Sequence, residues 1–311
     1  MKLIVFGATG FLGKSFMDYV MMNNLPDTPE ITPMGSLDCD LTNYEDVKSA
    51  IEGYDAVLNL AGIVGGIKFN THNQLYIYEK NHAICTNVIK AAAEMGLTKC
   101  CTALSTCIFP DFEEEDYPIN EHHFYGGLGL PKSNYGYAAA KRAAYELTTL
   151  YRLSDPDKYR GYTTFTPTNL FGVNDNYNPE TSHFVASVIR KVCEAQEGST
   201  LNFHGTPKVK RQQLSAEVAS GMIYNVLMSY DGDLPIILTT DNSLTNEEVI
   251  KEIIDISGKD LSYQFDGLYP GQLIKDCSGK YFKSIFGYTV KTTRDDFEKV
   301  YNYYVNSLQK N

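Results

Sequence analysis

The stretch that most limits how this chain can fold is Leu3-Ile4-Val5-Phe6, followed at once by Gly7-Ala8-Thr9-Gly10-Phe11-Leu12-Gly13. A short apolar run of this kind reads as a strand buried on both faces. A helical pattern from Lys14 to Met22 comes directly after the last glycine. Strand, glycine turn and helix in that order open a dinucleotide-binding fold. The glycines permit a tight turn, close approach of the backbone to a pyrophosphate, and close packing of helix on strand. The helix N-terminus then offers unpaired N–H groups and a positive dipole end to the phosphates. A plain tight turn would also use glycine, but this position after a buried strand favours the nucleotide.

The same alternation continues. Ala56 to Gly62 reads as a buried strand whose end, Leu60-Ala61-Gly62, falls where a cofactor would lie. Cys100–Ser105 and Thr163–Pro167 read as further strands, with helical stretches at 44–52, 76–94 and 137–152 between them. This pattern predicts an α/β fold: a doubly wound parallel sheet, the Rossmann type. Beyond Thr168-Asn169-Leu170-Phe171-Gly172 the alternation breaks down into helical patterns at 183–195, 216–228, 246–256 and 294–308, with small strands such as 235–238. We therefore expect residues 1–170 to form the dinucleotide-binding domain. Residues 171–311 form a smaller C-terminal α/β substrate-binding part, partly interleaved with the first. Ile63-Val64-Gly65-Gly66-Ile67 reads as a flexible loop giving access to substrate, and the acidic run from Asp111 to Asp116 as a solvated loop.

Chemistry enters with Tyr137 and Lys141, which share a helix face at a spacing of i and i+4. An ammonium beside a phenol stabilises phenolate and draws its pKa down from near 10. Such a tyrosine can give a proton to a carbonyl oxygen as hydride reaches the carbon. Ser105 can hydrogen-bond the same oxygen. If the strand persists, Cys107, two residues on, faces the same side. The plain alternative is two surface residues on an amphipathic helix and a small buried thiol.

Composition limits the partners. A net charge of −11 and a pI of about 5.0 argue against broad binding to nucleic acid or acidic membranes. The seven cysteines are scattered without metal-type pairs, so no metal site is expected. With no secretory signal and no run of roughly 18 apolar residues, the expectation is a cytoplasmic protein.

Several stretches together resemble the GDP-L-fucose synthase family of the extended short-chain dehydrogenase/reductase superfamily. They are Val64-Gly65-Gly66-Ile67, Leu104-Ser105-Thr106-Cys107-Ile108-Phe109-Pro110, Pro118-Ile119-Asn120-Glu121, Asn134-Tyr135-Gly136-Tyr137 with Ala140-Lys141-Arg142, and Pro167 to Gly172. Asp175-Asn176-Tyr177-Asn178 and Ser182-His183 extend the likeness. The resemblance implies an NAD(P)-dependent enzyme that epimerises C3 and C5 of a GDP-linked 4-keto-6-deoxyhexose and then reduces C4. It implies Cys107 and His183 as the epimerising acid/base pair. Tyr137, Lys141 and Ser105 would carry the reduction, Lys141 also reaching the cofactor ribose. Asp40 and Leu41 would contact adenine, although Asp40 also reads as a turn or capping residue. Asn169 and Leu170 would border the nicotinamide. Lys191, Arg211 and Lys275 would hold the GDP diphosphate, the last within Gly271-Gln272-Leu273-Ile274-Lys275. A homodimer is implied through helices 76–94 and 137–152.

The chain also departs from that family. Thr9 stands where bacterial members often have arginine, and Met34-Gly35-Ser36 ends the second strand without the arginine that commonly holds a 2′-phosphate. No acidic residue stands right there either, so NADP is favoured by resemblance alone and NAD stays open. After Arg211 the usual aromatic and aspartate are replaced by Gln213 and Glu217. Two other readings are a reductase or 4-epimerase on another nucleotide-linked keto-sugar, such as a GDP-heptose, and a non-enzymatic dinucleotide-binding sensor.

Overall fold

A computed structural model describes residues 1–23, 25, 27–268 and 272–309, with the backbone alone at 67 and 68. The strands are β1 (Lys2–Phe6), β2 (Glu30–Met34), β3 (Ala56–Asn59), β4 (Lys99–Ala103), β5 (Gly161–Pro167), β6 (Asn169–Phe171), β7 (Thr200–Phe203), β8 (Lys210–Arg211), β9 (Gln213–Ser215), β10 (Ile236–Leu238), β11 (Leu244–Thr245) and β12 (Ser262–Phe265). The helices are α1 (Phe11–Asn23), α2 (Tyr44–Ala50), α3 (Ile67–His72), α4 (Gln74–Met95), α5 (Tyr135–Ser154), α6 (Phe184–Glu194), α7 (Ala216–Ser229), α8 (Asn246–Ser257), α9 (Lys280–Phe286) and α10 (Arg294–Leu308).

Six strands form one parallel sheet in the order β2-β1-β3-β4-β5-β10. The apolar run of β1 is continuous because both sheet faces are covered. Ile4 and Phe6 join the core under α2, α4 and α5, while Leu3 and Val5 join the core under α1, α7 and α9. Strand order reverses where β1 lies between β2 and β3, which opens a crevice beyond their carboxyl ends. A third core gathers α6, α8 and α10 with β7 and β12, where Phe171 stacks on Phe297 at 4.7 Å between ring centroids. Not everything past residue 170 goes to that third core. α7 packs on the main sheet and β10 completes its edge beside β5.

Two local expectations need correction. Ile67 is not loop but the first residue of α3, and the segment before it is pinned rather than loose. Asn81, buried within α4, accepts the Ile63 N–H at 2.9 Å and donates to the Ile63 carbonyl at 2.8 Å. The fourth strand stops at Ala103; Ser105 caps a single 3-10 turn over Thr106–Ile108. Ser105 and Cys107 are therefore related by a turn, not by strand alternation.

The sheet edge holds one buried acid. Glu121 is 2% exposed, and its Oε1 accepts the Ile237 N–H of β10 at 2.9 Å. Burial pushes its carboxyl from an ordinary 4.5 up to about 7. Its stabilising share is therefore full below about 4.5 and is lost as pH rises through about 7. Glu121→Gln keeps the acceptor but cannot ionise. Calorimetry should show the variant more stable than the native chain by up to about 3 kcal/mol at pH 8, with the advantage fading towards pH 4.5. A difference independent of pH would contradict this account.

Candidate active site

The glycine turn lies in the crevice. Gly7 has a φ of +78°, and a Cβ there would come within 2.7 Å of the Ala61 nitrogen at the end of β3. A Cβ on Gly13 would overlap the Gly7 carbonyl oxygen, so α1 can start this close to β1 only with glycine. Phe11 at the start of α1 meets Gly172, where an added Cβ would lie 3.3 Å from the ring. The segment carrying Asn169 and Leu170 is thereby brought over the cradle. The close backbone approach and the open first turn of α1 fit the pyrophosphate of a dinucleotide.

Asp40 is exposed, and its Oδ1 accepts both the N–H and the hydroxyl of Thr42, at 2.9 and 2.8 Å. Leu41 is buried beside it. The helix cap that Asp40 could have supplied is made instead by Asn43. An acidic group does reach the end of β2: Asp38 turns back so that its Oδ2 accepts the Gly35 N–H at 2.7 Å. Sequence alone placed none there, because the reversal is a property of the turn.

Tyr137 and Lys141 sit one turn apart on α5, beyond the ends of β3 and β4. Lys141 is 2% exposed. Its ammonium donates to the Ala103 carbonyl at 2.9 Å and the Ala61 carbonyl at 3.4 Å, and touches Cys85 Sγ at 3.7 Å. It lies 6.0 Å from the centroid of the Tyr137 ring. The expected lowering of the phenol pKa is not what the fold produces. Burial raises it well above the ordinary value, and Cys107 and Cys85 add to the rise. The reason is that the protons of Lys141 are given to carbonyls rather than to the phenol.

Cys107 is the best-connected thiol of the chain. Ser105 Oγ accepts its N–H at 3.3 Å; Asn134 Nδ2 reaches its Sγ at 3.7 Å and Lys275 Nζ at 3.5 Å. Burial alone would raise its pKa, but the Lys275 charge and hydrogen bonds from Ser105, Lys275 and Asn134 bring it below the ordinary 9.0. Asn134 continues a chain inward. Its Oδ1 accepts from Asn70 at 3.0 Å, and Asn70 Oδ1 accepts the Gly65 N–H at 3.1 Å. The loop 63–66 is thus tied to Cys107.

The same loop touches the other side of the cleft. A Cβ on Gly66 would lie 3.2 Å from the Ser182 carbonyl oxygen, next to His183. His183 stands at the N-cap position of α6 without a capping side-chain bond, and its Nδ1 lies 3.3 Å from Oδ1 of the buried Asp175. That hydrogen bond raises the imidazole pKa against the opposing effect of burial. Asp175 stood within a recognisable stretch of sequence but had no role assigned; its function as the partner of His183 emerges only in space.

The three cations differ. Lys191 donates to the Asn202 carbonyl of β7 and lies 4.5 Å over the Phe203 ring. Arg211 gives its protons to the carbonyls of Lys210, Gln272 and Leu273. Lys275 points at Cys107. Gly271, expected in the same stretch, lies outside the described residues. Asp111 is not solvated as expected: it is half-buried, burial raises its pKa, and Lys275 and Arg211 act against the rise. Gln213 pairs with Asn169 in the β6–β9 ladder, and Glu217 forms an ion pair with Lys299.

A model of the NAD dependent epimerase/dehydratase family matches residues 3–225. The probable GDP-L-fucose synthase of Drosophila melanogaster is 34% identical, over 95% of this chain and 92% of its own length. The chain belongs to the GDP-L-fucose synthase family of NAD dependent epimerases/dehydratases. Another family member, the GDP-L-fucose synthase of Dictyostelium discoideum, is 32% identical over 83% of this chain and 81% of its own. The crystal structure of a GDP-L-fucose synthetase from Naegleria fowleri bound to NADP superposes with a TM-score of 0.89 at 27% identity, covering 99% of this chain and 93% of that one. The family fold is the doubly wound parallel sheet read from the sequence.

Proposed function

We propose that this enzyme converts a GDP-linked 4-keto-6-deoxyhexose to GDP-L-fucose or a related GDP-sugar, by 3,5-epimerisation and C4 reduction with NADP as cofactor. The observation that carries the reading is the joining of two kinds of chemistry by one loop. Lys141, one turn along α5 from Tyr137, reaches Ala61 beside the glycine cradle, while residues 63–66 link Cys107 to the segment bearing His183.

The cradle from Gly7 through Thr9, Gly10, Phe11 and Leu12 to Gly13 holds the dinucleotide, with Asp40 and Leu41 at the adenine. Leu60, Ala61, Gly62, Asn169 and Leu170 line its nicotinamide end. Bound there, the reduced cofactor supplies the hydride for C4. A ketone at C4 acidifies the protons on C3 and C5, so the Cys107 thiolate can remove one and the His183 imidazolium can return one on the other face. Tyr137 then donates its proton to the C4 oxygen, which Ser105 also hydrogen-bonds. Lys141 holds the ends of β3 and β4 in register with α5 and faces the ribose. Lys191 and Arg211 offer positive charge to the diphosphate in an otherwise acidic chain, while Lys275, implied for the same role, has its ammonium 3.5 Å from Cys107 Sγ.

Residues 1–170 serve the dinucleotide and 171–311 the nucleotide sugar, with α7 and β10 crossing back. A homodimer through α4 and α5 is favoured by the exposed Leu75, Tyr76, Leu150 and Leu153 on those helices. A cytoplasmic location accords with the seven free thiols. No described helix is long and apolar enough to cross a membrane.

Incubation with the GDP-keto-sugar and NADPH in deuterated water should place deuterium at C3 and C5 of the product. Reduction without deuterium would leave a simple reductase. No NADPH oxidation with GDP-, UDP- or dTDP-keto-sugars would overturn the assignment.

A further inference from the structure

We infer that Lys275 is the ionisation partner of Cys107, a positioning residue that keeps the thiol charged before substrate arrives. This rests on the reading of Cys107 as the base for C3 and C5. An ordinary thiol with a pKa of 9.0 is only about one per cent thiolate at pH 7. A base so rarely ionised would lose most of its rate, and in the cleft the Lys275 charge leads the groups that correct this.

The geometry singles out Lys275 from its neighbours. Its Nζ lies 3.5 Å from Cys107 Sγ and makes no other hydrogen bond among the described residues. Arg211 is the other cation acting on this thiol, but its guanidinium protons go to the carbonyls of 210, 272 and 273. The remaining groups facing the pair are Tyr137 and Cys277, both driven by burial towards their neutral forms, and Asp111. Asp111 Oδ1 is buried without a hydrogen-bond partner among the described residues, so this carboxylate competes with the thiolate for Lys275. Asn134 Nδ2 and the Ser105 hydroxyl supply neutral hydrogen bonds on the other sides. The thiol proton leaves to solvent.

The segment carrying Lys275 is anchored independently of Cys107. Ile274 bridges to Lys210, and Cys277 bridges to Ile119 and is gripped on both backbone groups by the buried Gln212. Removing the charge at 275 therefore need not release the chain around it.

The test is the pH dependence of alkylation of Cys107 by iodoacetamide, followed by peptide mass spectrometry without substrate. Thiolate sulfur displaces iodide to form the C–S bond, so the rate tracks the ionised fraction. The native chain should show an inflection below 9.0. Lys275→Met should move it up by about one unit or more, with alkylation at pH 7 falling about tenfold. Lys275→Arg should restore most of the rate. The acid limb of deuterium exchange into substrate should move with the alkylation inflection. Coincident inflections in the native chain and Lys275→Met would overturn the proposal, as would a native inflection at or above 9.0. Should Lys275→Met fail to fold, the native inflection and the arginine variant decide. If the inflections move as expected but no keto-sugar exchanges deuterium, the ion pair stands and the proposed function falls. If exchange persists with coincident inflections, the reverse holds.

Discussion

Cys107→Ser should abolish deuterium exchange at C3 and C5, by about 10²–10⁴-fold, while leaving C4 reduction of an already epimerised sugar nearly intact. Serine keeps the size and the hydrogen-bonding geometry that Ser105 and Asn134 serve. What it loses is ionisation: an alcohol beside Lys275 stays protonated where the thiol does not. The reducing group is separate, since Tyr137 and Lys141 stand on α5, where Lys141 is held by Ala61, Ala103 and Cys85. Removing the sulfur also removes a negative neighbour of the phenol, so proton donation is not impaired. Proton NMR of the sugar in deuterated water, run beside NADPH absorbance, measures both steps on one sample. Exchange that survives within a few-fold would mean that another group is the base.

The opposite separation is expected from Tyr137→Phe. Here C4 reduction should fall by about 10²–10⁴-fold while exchange continues, because the proton donor is lost and the thiol is not. The two steps should also respond differently to pH. Burial holds the Tyr137 proton well above its ordinary pKa, so the donor form persists through neutral pH and reduction shows no alkaline loss from this group there. The thiol titrates below its ordinary value, and only its charged form accepts a proton. Exchange should therefore rise with pH on the acid side, level off once the thiol has ionised, and decline where His183 loses its proton. If both reactions shared a single profile and both failed in the phenylalanine variant, one group would be serving both steps.

Some of this was plain in the order of residues. Leu3–Phe6 against the glycines at 7, 10 and 13 needs no distant partner to be read, since a buried strand, a tight turn and a helix start are local facts. The i, i+4 spacing of Tyr137 and Lys141 is local too. What those residues do electrostatically was not. A lysine four positions from a tyrosine suggests a lowered phenol pKa. The folded chain gives that ammonium to two carbonyls, one just past β3 and one at the end of β4, and buries the phenol, which reverses the sign. Asp111 misled for the same reason, because an acidic run reads as solvated until Arg211 and Lys275 arrive beside its first member.

By itself, the order of residues determined the parallel α/β architecture with its opening strand, glycine turn and helix, because these rest on periodicity or spacing within about twenty residues; Cys107 and His183 were singled out by family resemblance, not by periodicity. Tertiary structure alone decided which charge meets which acid. Lys275 stands 168 residues from Cys107, and Asn70 stands 64 from Asn134. No periodicity links positions that far apart. Their meeting follows from helices and strands packed across the sheet's carboxyl edge, where burial and a few ångströms shift the protonation of Cys107, Tyr137, Asp111 and His183.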